Sequence, residues 1–301
     1  MNRLTMKYIL RISVISLIAA IFITTTYNSI SYAQELESKH IKNILLIGVD
    51  GNNLEKGNRS DAMIIMTIDE SSKKIKLTSL GRDTYVYIKD RGKEKLTHAY
   101  AYGGPDLLLQ TIKENFGIDI DKYATVSFSS FMEIIDLLGG VEVEITDNDL
   151  ESLHKLTKVC YGIYGKEDKG AIQFIDKAGK FNLNGYQALA FSRMRYQDST
   201  EARDSRQRMV IKSTLNKLQH TGLRAYIGSL DIIMSGVKTN LKPMDVVVLG
   251  YKTLRIGTDN VETMEFPVYK EEVKLKEAGW VVLWDEETNI DLLNNFIYKN
   301  E

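Results

Sequence analysis

Three runs of aliphatic and β-branched residues follow one another with only short polar connections: Asn43 to Asp50 (NILLIGVD), Ala62 to Asp69 (AMIIMTID) and Lys74 to Leu80 (KIKLTSL). Runs of this length and composition, bounded by turn residues such as Asp50-Gly51-Asn52 and Ser71-Ser72, read as strands. Their backbone groups need partners, which neighbouring strands of one sheet supply. Further on the period changes. Asp106 beside Pro105 opens LLLQTIKENFG, whose apolar spacing and terminal Gly117 mark a helix with its C-cap. Tyr123 to Phe128 reads as a strand, Phe131 to Leu138 as a short helix closed by Gly139-Gly140, and Val141 to Ile145 (VEVEI) as a half-exposed strand. From Leu183 two helical patterns bracket a charged connection, the second starting near Asp204-Ser205. Leu223 to Met234 and Pro243 to Leu254 add helices, Val261 to Val268 and Gly279 to Trp284 add strands, and a last helix starts about Glu286. This mixture predicts an α/β fold, an α-β-α sandwich whose mixed central sheet is flanked by helices.

The 301 residues carry 39 Lys+Arg against 40 Asp+Glu and are 44% hydrophobic, which suits a globular body and not a basic nucleic-acid binder. Three prolines, no Gly/Ser run and no repeat leave little room for a linker, so the body reads as a single domain. Cys160 is the only cysteine, which excludes an intrachain disulfide and a thiolate zinc cluster and suits a small buried hydrophobe. His40, His98, His154 and His220 form no zinc-type pair.

Arg3, Lys7 and Arg11 precede an uncharged stretch from Ile12 to Gln34 with its apolar heart at Ile12 to Ile23. Positive charge before such a stretch keeps the N-terminus inside the cell. Residues 1–34 therefore read as a transmembrane signal-anchor, or as a signal peptide with Ser31-Tyr32-Ala33 at a cleavage-like position. Either way residues 35–301 are expected outside the cytoplasmic membrane. With no ATP pool there, nucleotide-fuelled chemistry is disfavoured.

Acids and arginines gather at the ends of the expected elements: Asp50, Arg59, Asp61, Arg82, Asp83, Arg193, Arg195, Arg203, Arg206 and Gln207. Arg203, Arg206 and Gln207 stand three and four residues apart and share a helix face. Such a stripe suits a polyanion such as phosphate, or is a solvated face with ordinary pairs such as Arg203 to Glu201. Asp50 and Asp61 leave neighbouring strands as hard oxygen donors, suited to Mg²⁺ shared with a phosphate substrate, or they serve a turn and a cap. No P-loop, nucleophile-elbow or dinucleotide-binding motif is present, and Leu54 spoils a calcium loop.

The ordered series GVD, RSDAM, SLGRDTYV, KLTHAYAYGG, IDLLGGVEVEI, LNGYQALAFSRMR and RDSRQR resembles the LytR-CpsA-Psr family of Gram-positive cell-wall proteins, from Asn43 to Gln219 and more weakly beyond. The resemblance implies an α/β domain that holds a polyprenyl lipid in an apolar pocket and its pyrophosphate at an arginine-lined mouth. It implies an enzyme that joins an anionic glycopolymer, teichoic acid or capsule, to peptidoglycan. By motif, Asp50 and Asp61 are similar to the magnesium-side acids, Arg59 and Arg82 to pyrophosphate-side arginines, and Arg193, Arg195, Arg203 and Gln207 to the remaining head-group contacts. Arg82, Asp83 and Arg195 are the catalytic candidates, with Asp83 able to orient Arg82. Lys95 and His98 fill a K-x-x-H-A stretch read as structural. Gly81 replaces a Pro, Gly51-Asn52 replaces an Asp-Arg start, and Thr200-Glu201-Ala202 replaces an acid-aromatic-Gly, with Glu201 or Asp198 available as the acid.

The implied reaction is transfer of a glycan-1-phosphate from a polyprenyl-pyrophosphate carrier to a sugar hydroxyl of peptidoglycan. The pyrophosphate supplies the driving force, and Asp83 and Asp61 are the candidate bases. Phe128, Phe131, Ile134, Ile135 and Leu138 line the lipid channel or form plain core. The rivals are a hydrolase, a lipid-binding module, and a transcription regulator, the last opposed by near-neutral charge and an exported body.

Overall fold

The computed structural model describes residues 41–51, 54, 57–194, 200–221 and 230–299. The three early runs form β1 (Ile41–Val49), β2 (Ser60–Asp69) and β3 (Lys74–Leu80), paired antiparallel in that order. β6 (Lys122–Val126) adds to β1 in parallel and β9 (Val237–Thr239) closes that side. On the other edge β10 (Val261–Phe266) runs parallel to β3, giving one mixed six-stranded sheet in the order β10-β3-β2-β1-β6-β9. Three two-stranded ribbons decorate it: β4 (Tyr85–Ile88) with β5 (Gly92–Lys95), β7 (Val141–Ile145) with β8 (Gly179–Leu183), and β11 (Lys270–Leu275) with β12 (Gly279–Trp284).

Strand alternation sends side chains to opposite faces. Leu45, Ile47, Met63 and Ile65 meet α1 (Leu96–Phe116) and α8 (Glu286–Tyr298) through Leu108, Ile112, Phe116, Leu293 and Ile297. Ile44, Ile64, Met66 and Leu77 turn the other way, toward Ile211 and Leu215 of α5 (Thr200–Thr221) and Leu249 and Ile256 of α7 (Pro243–Ile256). A second core joins α2 (Phe128–Leu137), the β7–β8 ribbon, α3 (Leu150–Ile163) and α4 (Gly185–Arg193) beside that face. The short α6 (Leu230–Gly236) leads into β9. The result is a mixed α/β single domain.

Local chemistry sets several boundaries. Helix α1 begins ten residues before the expected start at Asp106: it runs from Leu96 and is kinked at Gly104, whose φ of 68° is left-handed, just before Pro105. Gly117 caps it with φ 73°, as the sequence implies. Ser127 and Ser130 form a reciprocal capping box, so α2 starts at Phe128 and not at Phe131. Asn184 and Gln187 do the same for α4. Cys160 is fully buried, and burial pushes its thiol up, which suits packing over nucleophilic use. No helix among the described residues is long and apolar enough to cross a membrane; the Ile12–Gln34 stretch lies outside them.

Candidate active site

Between the sheet and the second core lies a cavity of about 440 Å³. Its floor exists because small residues sit side by side on central strands. Gly48 of β1 pairs with Ala62 of β2, and Leu46 pairs with Ala124 of β6. A Cβ on Gly48 would stand 3.3 Å from that of Ala62, so the floor has no room for larger pairs. The walls are apolar, from Ile64, Val126, Phe128, Phe131, Leu156, Leu189, Val210 and Ile211. Polar groups enter at Asp61, Ser192, Arg193, Arg203 and Gln207. An apolar hollow with a few converging polar groups is the usual form of a small-molecule site.

The polar end is built at a β-bulge. Gly48 pairs with Ala62 and Val49 with Ser60, which leaves Asp61 as the extra residue and re-aims its side chain. Asp61 Oδ1 accepts from Arg82 Nη1 at 2.5 Å. Arg82 Nε reaches Asp83 Oδ2 at 3.3 Å, and Lys95 Nζ holds Asp83 Oδ1 at 2.9 Å. Burial alone would lower the Arg82 guanidinium, but Asp61 and Asp83 outweigh it and raise it further. Burial likewise pushes Asp83 up, yet Lys95 and Arg82 prevail and its carboxyl lies below the ordinary range. Asp50 caps the loop between β1 and β2, Oδ1 accepting the Arg59 backbone N–H at 2.6 Å, while the Arg59 side chain is exposed.

Helix α5 supplies the opposite wall. Arg203 is 5% exposed and bonds Asp204 Oδ1 through Nη2 at 3.1 Å. Burial raises the Asp204 carboxyl even though Arg203 opposes it, and its Oδ2 finds no hydrogen-bond donor among the described residues. Arg193 lies over the Phe128 ring at 4.5 Å and toward Cys160 Sγ at 3.8 Å. The shared helix face divides: Arg203 and Gln207 line the cavity, whereas Arg206 turns away to Asp149 at 3.0 Å. Arg203 pairs with Asp204, and not with Glu201 as the solvated-face alternative would have it.

The LytR_cpsA_psr family model matches residues 22–295. This chain belongs to the LytR-CpsA-Psr family. A relative from Bacillus cereus, the polyisoprenyl-teichoic acid–peptidoglycan teichoic acid transferase TagU, is 34% identical over 255 residues, covering 83% of this chain and 76% of its own length. The solved structure of TagT bound to LI-WTA is 28% identical, with a TM-score of 0.68 over 87% of this chain and 92% of that one. A second TagT structure, with bound octaprenyl pyrophosphate lipid, is 27% identical with a TM-score of 0.63 over the same shares.

Among the residues singled out by their LytR-CpsA-Psr motifs, Asp61, Arg193, Arg203 and Gln207 line one cavity, and Arg82 and Asp83 join it through Asp61. Asp50 and Arg59 stand together at the β1–β2 loop. Arg195 and Asp198 lie outside the described residues. Of the apolar stripe, Phe128 and Phe131 line the cavity, while Ile135 is core, and Ile134 and Leu138 are not part of the lining. A helix of ten residues turns only part of its surface to one side. Gly81 has a reason to replace Pro: its N–H donates to the Phe266 carbonyl at 2.8 Å, a bond proline cannot make. Glu201 pairs with Lys270 at 3.1 Å.

The cavity floor is not legible as a unit in any local stretch of sequence. Its signal was present, since Gly48, Ala62 and Ala124 interrupt strands otherwise filled by large aliphatics. Only strand register aligns them. For Mg²⁺, the two acids are the right chemistry: each has one oxygen engaged, by the Arg59 N–H or by Arg82, and a second that meets no donor among the described residues. Among the described residues no group of three or more carboxylate, His or Cys side chains could hold a metal by themselves. As hard oxygen donors, Asp50 and Asp61 are each of a type that suits a magnesium ion completed by phosphate oxygens and water.

Proposed function

We propose that this protein transfers a glycopolymer-1-phosphate from a polyprenyl-pyrophosphate carrier to a hydroxyl of peptidoglycan, a teichoic-acid-type polymer being the cargo suggested by its relatives' names. The observation that carries this reading is an apolar cavity whose lining includes Arg193, Arg203, Gln207 and Asp61, the last paired with Arg82. The prenyl chain fills the cavity and the pyrophosphate meets the guanidinium groups. Arg82 and Arg203 neutralise charge on the moving phosphoryl group and on the departing lipid phosphate, the dominant contribution in phosphoryl transfer. Arg195, two residues after Arg193 in sequence, is assigned the same task. Asp83, held low by Lys95 and Arg82, orients Arg82 and is a poor base. A loose transition state asks little base strength, so Asp83, or Asp61 where no metal occupies it, can receive the hydroxyl proton. Asp50 and Asp61 would hold Mg²⁺, which supplies charge neutralisation at the phosphates when bound.

Residues 1–34 serve as a membrane anchor or signal peptide and residues 35–301 as the catalytic body outside the cell, close to a membrane-borne donor. The full chain, with Mg²⁺ and a short-chain polyprenyl-pyrophosphoryl glycan, is incubated with and without peptidoglycan oligomers and followed by mass spectrometry. A phosphodiester-linked adduct is expected. Free glycan phosphate alone would make the protein a hydrolase, and intact donor a binding module.

A further inference from the structure

A second, smaller cleft lies on the other side of Arg82. Its guanidinium touches Asp61, which lines the large cavity, and Asp83, which lines this cleft together with Glu265, Lys270, Glu272 and Trp280. The β11–β12 ribbon forms one wall. It is fastened to the site by main chain, since the Val282 N–H donates to the Asp83 carbonyl at 2.9 Å and Thr84 bridges to Val282. Trp280, Val282 and Trp284 share one face of β12. Trp284 packs edge-on against Phe116 and Phe266 at 5.3 and 5.5 Å, anchoring the ribbon in the core. Trp280, near the turn, has left the core behind and is 61% exposed.

An indole left mostly exposed gains little from burial, and here it borders a recess rimmed by carboxylates and an ammonium. An aromatic face takes the C–H side of a sugar ring, while carboxylates and Lys270 take its hydroxyls. Lys270 is itself fixed by Glu265 at 2.5 Å and Glu201 at 3.1 Å, which ties the ribbon to the helix carrying Arg203. We propose that this cleft is the subsite for a pyranose ring of the acceptor glycan, stacked on Trp280. The proposal rests on the transferase reading above. Two features select acceptor over donor sugar. Attacking and leaving oxygens lie roughly in line across the phosphorus in phosphoryl transfer, so with the lipid in the large cavity the acceptor approaches from the side away from it, and a separate cleft beyond Arg82 suits that approach. Asp83, Glu265 and Glu272 outnumber Lys270, which disfavours a phosphate-rich polymer and suits a neutral sugar ring.

The test uses the full chain in detergent micelles and peptide-free peptidoglycan glycan oligomers. The chain has two tryptophans and Trp284 is anchored, so oligomer binding should change the fluorescence of Trp280 and leave that of a Trp280→Phe variant almost unmoved. Trp280→Ala should raise the acceptor KM roughly tenfold, at unchanged affinity for octaprenyl pyrophosphate and unchanged Tm, and Trp280→Phe should restore most of the loss. An unchanged acceptor KM in Trp280→Ala overturns the subsite, as does a fluorescence response to poly(glycerol phosphate) equal to that for the glycan. A saturable glycan response in a protein that transfers nothing keeps the subsite and removes the transferase reading. Full transfer with no glycan response does the reverse.

Discussion

Arg203→Ala separates what this residue does for the fold from what it does for phosphate. The guanidinium is 5% exposed and Asp204 beside it 3%, so the substitution leaves a buried carboxylate without its partner. Breaking such a pair from one side costs about 3–5 kcal/mol. Partial protonation of Asp204, already raised by burial, holds the loss toward the lower figure. At roughly 2–4 °C per kcal/mol the melting temperature should fall by roughly 6–20 °C. A carboxyl whose folded pKa is raised binds more protons folded than unfolded, so stability falls as pH rises from the ordinary carboxylate range through the raised value. Removing Arg203, which opposes that rise, extends the window upward, and the variant loses more stability toward neutral pH than the wild type. The double variant Arg203→Ala/Asp204→Asn carries no buried charge at the pair and should regain most of the loss. Transfer should not return with it: the missing phosphate donor costs about 10²–10³ in rate in both variants. Thermal melts from pH 4 to 8, with single-turnover transfer at a temperature where all forms are folded, decide it. An Arg203→Ala protein as stable as wild type would refute the buried-pair reasoning, and a double variant with wild-type transfer would refute the phosphate role.

Arg82→Lys keeps a charge but loses the planar fork that faces Asp61, Asp83 and a phosphate together, and transfer should fall by about 10² with little change in Tm. Ala62→Phe projects a ring onto the cavity floor beside Gly48 and should weaken octaprenyl pyrophosphate binding at least about tenfold, at a stability cost of about 1–3 kcal/mol, measured by calorimetric titration and melting. Asp83 has a depressed carboxyl, so its contribution is present above the unfolded pKa and lost as pH falls through the lower folded value. Asp83→Asn should therefore be less stable than wild type at neutral pH, with the two acid-unfolding curves converging below the ordinary carboxylate range. If Asp50 and Asp61 hold Mg²⁺, Asp50→Asn should raise the magnesium concentration for half-maximal transfer about tenfold, and equal requirements would exclude Asp50 as a ligand.

Strand existence was legible where large aliphatics run together: β3 keeps its expected ends at Lys74 and Leu80, and β7 alternates buried and exposed as VEVEI implies. Boundaries set by capping were harder to read. Ser127 with Ser130 moves the start of α2 to Phe128, and Gly104-Pro105 hides the first half of α1, because a kink can be mistaken for a beginning. Strands such as GKEK of β5 and KEEVKL of β11 escaped, being too polar for a periodicity signal and held mainly by their ribbon partners. Helix α3 escaped too, although Leu150, Leu153, Leu156, Cys160 and Ile163 recur at helical spacing and pack against β7 and α4.

The amino-acid sequence alone determined the α/β class, the family through its ordered motifs, and the types of side chain at the site, because these follow from local period and residue chemistry. Tertiary structure decided which of those side chains meet. Arg203 and Arg206 are one helical turn apart and sequence treats them alike, yet one lines the cavity and the other faces Asp149. Asp61 reaches Arg82 through a bulge in β1–β2 pairing, and Gly48, Ala62 and Ala124 become a floor only when three strands lock in register. Contacts between residues far apart along the chain depend on how separate elements pack, and no local pattern carries that information.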